Sequence, residues 1–126
     1  MRRSLSRLCL VAGVAPLLFL APVRAAEPTV KALYVFGDSY SDNGAARALS
    51  LEAVKAKVPQ ASVLPAEESA GLYWNGRWSN GPTAVEDLAH ALGARLTDFA
   101  VGGARCGSGN YYTWLDGWRD SGLRGQ

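Results

Sequence analysis

The hydrophobic pattern divides the chain into a short series of elements. Val30–Phe36 (VKALYVF) is almost continuously apolar and rich in β-branched and aromatic residues, the pattern of a strand buried in a covered sheet. It stops at Gly37, and the following Gly37–Gly44 segment (GDSYSDNG) consists of turn-forming residues. Ala45–Val58 places Ala48, Leu51, Val54 and Val58 on one helical face, with Pro59 as the terminator. Residues 60–81 show little periodicity and predict a long surface loop, a feature that is usually functional or loosely ordered. Pro82 opens a second predicted helix running to Leu92, with Ser79 or Asn80 as its cap and Gly93 as its stop. Arg95–Val101 alternates as a second strand and ends at Gly102-Gly103. From Ala104 onward the chain is rich in glycine and aromatic residues, and no clear final element is predicted. Strand, helix, helix, strand is the order of an α/β layered fold with a parallel sheet. Two strands cannot complete such a sheet, so the chain is expected either to be the N-terminal part of a larger domain, incomplete here, or to fold poorly alone.

The apolar run at the start reads differently. Arg2, Arg3 and Arg7 precede Leu8–Ala21, and Val23 and Ala25 stand at the −3 and −1 positions of a small-residue cleavage site. That is the layout of a secretory signal peptide over residues 1–25, cut before Ala26 or one residue later. The run contains Pro16 and is short for a membrane span of roughly 20 residues, so a stable membrane anchor is not expected. Cys9 has no small residues before it, which argues against lipid attachment. A secreted or periplasmic location follows, with residues 26–126 as the mature segment.

Export changes the meaning of the charge. The 126-residue chain carries 13 basic and 11 acidic residues, a formal net charge of +2. The leader holds four of the basic residues and none of the acidic ones. The remainder has nine basic against 11 acidic residues, a net charge of −2. No basic footprint for nucleic acid is present. Beyond the leader, Cys106 is the one cysteine, which excludes an internal disulfide there, and no Cys/His cluster suggests a metal. No cofactor is implied.

The candidate chemistry lies where the two predicted strands end. Ligands of open parallel sheets bind beyond the carboxyl ends of the strands. Gly37-Asp38-Ser39 would present a serine hydroxyl there, with Asp38 and Asp42 tying down loop N–H groups. The tripeptide is also what an ordinary strand-to-helix turn contains. Gly102-Gly103-Ala104 would face the same edge, where a glycine lets a backbone N–H meet a ligand unobstructed. A serine beside an open N–H is the outline of a nucleophile with an oxyanion hole.

Three segments then resemble one family. Phe36–Gly44 (FGDSYSDNG) resembles the first signature block of the GDSL, or SGNH, hydrolases, with Tyr40 where leucine is commonest. Gly76–Ala89 (GRWSNGPTAVEDLA) is similar to a segment that lipase-like members carry after the first loop. Leu96–Gly107 (LTDFAVGGARCG) resembles the second block, with Asp98 where asparagine is frequent. The segments occur in family order. The resemblance implies a flavodoxin-like three-layer α/β/α fold with a parallel sheet and hydrolysis of carboxylic esters, of a small molecule, lipid or glycan. It implies Ser39 as nucleophile and oxyanion donor, and Gly103 as a further oxyanion donor. The family's Gly-x-Asn-Asp block and its C-terminal Asp-x-x-His block are not found in their places. Asn110 follows the second block too closely. Asp87-Leu88-Ala89-His90 spells the latter pattern but falls between the first two blocks, where a local surface pair at i and i+3 is the simpler reading.

The expectation is therefore the N-terminal part of a secreted ester hydrolase, nearly inactive alone. A non-catalytic glycan- or ester-binding module and the start of an autotransporter esterase passenger domain are the alternatives. Two aromatic groups, Tyr73, Trp74 and Trp78 in the long loop and Tyr111, Tyr112, Trp114 and Trp118 in the tail, fit either a pocket wall or simple loop packing. Other motifs do not hold. Ser41 lacks the glycine of a Gly-x-Ser-x-Gly elbow, Ser108 replaces the lysine a phosphate loop needs, and Cys106 beside Arg105 has no placed histidine.

Overall fold

The computed structural model describes residues 29–66 and 71–126. The signal-peptide expectation for residues 1–25 lies outside the described residues. Five elements follow in the order β1 (Ala32–Val35), α1 (Ala45–Lys55), α2 (Ala84–Leu92), β2 (Arg95–Asp98) and α3 (Thr113–Trp118). The two strands pair in parallel, Ala32 opposite Arg95 through Val35 opposite Asp98. The result is a mixed α/β arrangement with a small parallel sheet. Both strands are shorter than their apolar patterns, yet parallel bonding continues past them. Phe99 N–H donates to Val35 O at 2.8 Å and Val101 N–H to Gly37 O at 3.1 Å. These last bonds set the Gly37 turn beside the Gly102-Gly103 turn.

β1 is not buried on both faces, as its composition predicts. α2 packs on both strands, whereas Tyr34 and Phe36, which share a face, are 59% and 54% exposed. On that face Phe99 stacks on Phe36 with ring centroids 5.1 Å apart and Arg95 donates to Tyr34 Oη at 3.3 Å, and no helix among the described residues covers it. A doubly covered strand needs layers on both sides, and the described elements supply one.

α1 forms where expected but buries nearly the opposite side. At 100° per residue, Ala46, Ser50 and Ala53 form the buried stripe, while Ala48, Leu51 and Val54 are exposed and Val58 lies beyond the helix. Its inner face meets loop and turn residues: Ala46 joins Leu64, Val101 and Leu115 in the core, with Leu49, Trp78, Tyr112 and Trp114 against them. Close approach favours the small Ala46 and Ala53, and Ser50 can be buried because its hydroxyl accepts from Leu64 N–H at 2.9 Å and donates to Arg47 O at 2.9 Å. The helix ends before Pro59 through a left-handed residue, Lys57 (φ 58°). Lys57 N–H bonds Val54 O and Val58 N–H bonds Ala53 O, a Schellman closure.

α2 is capped by Thr83, not by Ser79 or Asn80, and Pro82 precedes the cap. Ser79 spends its hydroxyl on Gly81 O at 2.7 Å. Glu86 reaches back to Thr83 N–H at 2.8 Å, and Gly93 closes the helix at φ 61°. The tail contains α3, which the sequence pattern does not reveal. It has only six residues and is anchored by the fully buried Leu115. The core thus sits beneath the two strand-end turns and supports them.

Candidate active site

Ser39 sits in the turn that leaves β1. Ser41 N–H and Asp42 N–H both donate to Asp38 O, at 3.1 and 3.0 Å, and the Asp38 carboxylate accepts Tyr40 N–H at 3.1 Å. The turn is therefore wound tightly around Asp38, with the half-buried Ser39 at its start. Among the described residues, neither the Ser39 hydroxyl nor its N–H is engaged by another group.

Asp42 is the hub beneath this turn. It is fully buried, and five N–H groups converge on its carboxylate. Gly44, Ala45 and Ala46 donate at 2.8, 2.6 and 3.0 Å, capping the first turn of α1. Gly102 N–H donates at 2.6 Å and Trp78 Nε1–H at 3.4 Å. One side chain thereby ties the serine turn, the long loop and the second strand-end turn together. The sequence reading assigned Asp42 to its own loop; its reach to Gly102, 60 residues on, is a tertiary fact.

The second turn is shaped by its glycines. Ala104 N–H bonds Val101 O at 3.0 Å, and Gly103 takes φ 83°, a conformation L side chains rarely adopt. Gly103 gives its carbonyl to Tyr111 N–H at 2.7 Å, while its own N–H has no acceptor among the described residues. Asn110 is buried under this turn. Its Nδ2 donates to Gly102 O and Ser121 Oγ, both at 3.0 Å, and its Oδ1 accepts Tyr112 N–H at 3.0 Å. Every polar atom of its amide is used structurally, so Asn110 is not free to hold a ligand.

Ser39 and Gly103 line one cleft of about 420 Å³, walled by Trp78, Tyr111 and Tyr112 with Arg105 at its side. A second cleft of about 460 Å³ also contains Ser39 and Trp78, and is lined by Tyr40, Tyr73 and the Thr83–Ala84 start of α2. Of the aromatic groups, Tyr73, Trp78, Tyr111 and Tyr112 line the clefts, whereas Trp74, Trp114 and Trp118 line neither. Trp78 stacks with Tyr112 at 6.1 Å and meets Tyr73 edge-on at 5.7 Å, so packing and cleft lining are one arrangement. Burial, with neighbouring Tyr111 and Tyr73 adding to it, pushes the Tyr112 phenol above its usual range.

The long loop is fastened to α2 by Arg77, which forms a two-pronged pair with Glu86, at 3.2 Å from Nε and 2.5 Å from Nη2. The hydrogen bond from Arg77 is the main reason the Glu86 carboxyl is held below its usual range. Arg77 also lies 4.9 Å over the Trp74 ring. On the strand side, burial pushes the Asp98 carboxyl upward, and Oδ2 is buried without a hydrogen-bond partner.

His90 is exposed near the far end of α2. Six residues beyond Ala84, it lies about 9 Å further along the helix from the second cleft. It is not brought to Ser39. Among the described residues no group of three or more His, Cys, Asp or Glu side chains could hold a metal ion, and no helix is long and apolar enough to cross a membrane.

No family model matches the chain. Over 88 residues, 67% of the chain, the sequence is 38% identical to an acetylesterase of Hypocrea jecorina. That stretch is 22% of the relative's length, so the chain spans about a fifth of the curated protein it is similar to.

Proposed function

We propose that this chain is the N-terminal portion of an exported serine ester hydrolase of the GDSL/SGNH type, with Ser39 as nucleophile. One observation carries the reading: a serine hydroxyl and two backbone N–H groups, of Ser39 and Gly103, unengaged among the described residues, occur at adjoining strand ends around one cleft. The similarity to an acetylesterase supports the same reaction class. The three family-like segments support the finer assignment and the three-layer fold that goes with it. The open face of β1 is in keeping with such a fold.

In this reading Ser39 Oγ attacks the ester carbonyl carbon. The carbonyl oxygen becomes an oxyanion and is received by the N–H groups of Ser39 and Gly103. Collapse expels the alcohol and leaves an acyl-serine, which water then hydrolyses. A base must take the serine proton. His90 is exposed near the far end of α2 and is not that base. Without a base, an oxyanion site and binding leave roughly 10³–10⁴-fold acceleration over water, and absence of a third oxyanion donor removes on the order of 10²–10³ of rate.

Fluorophosphonate labelling with peptide mapping tests this. The folded chain is expected to be labelled at Ser39 about tenfold faster than the urea-unfolded chain, since a preorganised oxyanion site survives loss of the base. Ser39→Ala should abolish the adduct and His90→Ala should leave its rate unchanged. Equal rates in folded and unfolded samples, or an adduct at another residue, would refute the assignment and favour a non-catalytic binding module.

A further inference from the structure

We propose that Trp78 is the specificity-determining residue of the Ser39 site, a fixed partition that gives the two sides of the scissile ester separate subsites. This rests on the hydrolase reading above and goes beyond it.

Ser39 and Trp78 are shared by both clefts, whereas the other lining residues fall into two sets. On one side stand Gly103, Arg105, Tyr111 and Tyr112. On the other stand Tyr40, Tyr73, Pro82, Thr83 and Ala84. An ester carbonyl carbon at Ser39 carries three substituents besides the attacking oxygen. The oxygen that becomes anionic belongs with Gly103. The acyl chain and the alcohol must leave in two directions, and the indole is a wall common to the two clefts that contain Ser39 among the described residues.

The indole is a wall and not a swinging flap because it is held on every side that matters. Its Nε1–H donates to the buried Asp42 carboxylate. Its ring lies so close to Gly102 that a Cβ there would overlap Nε1 and the adjoining ring carbons. Tyr112 stacks on it and Tyr73 contacts it edge-on. It also packs against the Ala46, Val101 and Leu115 cluster. A side chain fixed by a hydrogen bond, a glycine and two rings has a single orientation, which is what a size-selecting partition requires.

Gly102 acquires a reason from this arrangement. A glycine beside the oxyanion turn reads, in sequence, as backbone freedom. In the structure Gly102 carries no left-handed φ, and the space its absent side chain leaves is filled by Trp78.

The experiment uses two series of alkyl fluorophosphonates, one with a growing P-alkyl group and one with a growing O-alkyl group. Ser39 labelling rates are read for the intact chain, Tyr73→Ala, Tyr111→Ala and Trp78→Ala. Tyr73 and Tyr111 border opposite clefts, so each of their variants should change size preference in one series only, and in different series. Trp78→Ala should flatten both, by about tenfold for the largest probes, the scale on which pocket fit discriminates methylenes. Trp78→Phe, which preserves a ring but loses the Asp42 bond, should keep most of the selectivity and guards against a fold lost in the alanine variant. Both tyrosine variants acting on the same series, or Trp78→Ala (or Trp78→Leu, should the alanine variant not fold) leaving both size profiles intact, would overturn the partition while Ser39 labelling still stood. Loss of all Ser39 labelling in the intact chain would instead overturn the hydrolase reading, and this inference with it.

Discussion

Asp42→Asn changes almost no volume, yet the structure makes it a severe substitution. The carboxylate of Asp42 accepts from five N–H groups and is fully buried. An asparagine has one oxygen and one NH₂ in the same places. With its oxygen toward Gly44 and Ala45, the NH₂ confronts the N–H groups of Ala46, Gly102 and Trp78. Flipped, it confronts Gly44 and Ala45. In either orientation at least two buried donors lose their acceptor and meet another donor. A buried polar group left unpaired costs about 1–3 kcal/mol, so a loss of roughly 2–5 kcal/mol is expected. Domains of this size have only about 5–15 kcal/mol in total. Urea unfolding followed by tryptophan fluorescence reads the change directly. At about 1–2 kcal/mol per molar urea, the midpoint should fall by roughly 2 M. Asp42→Ala, which removes the acceptor of all five donors and leaves a void, should be at least as harmful as the isosteric asparagine. An Asp42→Asn midpoint within the equivalent of about 0.5 kcal/mol of the parent would refute the hub assignment.

Glu86 contributes acid sensitivity. Its folded carboxyl is held below its ordinary range by Arg77, so the stabilisation is present above that ordinary range and is lost as pH falls through the lowered folded value. Glu86→Gln should therefore flatten the decline of urea midpoint below about pH 5, and an unchanged acid limb would count against the pair. Asn110→Ala strands Gly102 O, Ser121 Oγ and Tyr112 N–H beneath the second turn, and should lower stability by roughly 2–4 kcal/mol. Under conditions where it remains folded, its Ser39 labelling rate should stay within about threefold of the parent, because Asn110 acts on the fold; a loss comparable with Ser39→Ala would place Asn110 in the reaction itself.

The kinds of element and their order were legible because they depend on local pattern. Apolar Val30–Phe36 marked β1, Gly93 closed α2, and the glycine pair at 102–103 marked the turn beyond β2, although the strand itself ends at Asp98. The run of turn residues between Gly37 and Gly44 likewise signalled a tight turn carrying a serine. Such features follow from backbone freedom and side-chain branching within a few residues, which a one-dimensional reading can reach.

Which face of α1 is buried was not legible. Ala48, Leu51 and Val54 form the more apolar stripe, but the helix turns Ala46, Ser50 and Ala53 inward, since Leu64, Val101 and Leu115 converge there from distant parts of the chain. Thr83 displaced Ser79 and Asn80 as the α2 cap because Glu86 and Arg77 close around it. α3 escaped notice because six residues around a glycine carry no period, and its stability comes from the burial of Leu115.

The sequence by itself determined the local conformations: two strand ends, the glycines at their turns, and a serine placed at the first. That the two turns share an edge followed from the parallel order the pattern predicts; tertiary structure alone decided that Asp42 joins them across 60 residues and that Trp78 lines both clefts. The physical reason is range. Turns and caps are settled by neighbouring dihedral angles and hydrogen bonds, whereas a cleft exists only after distant segments have buried the same few side chains together.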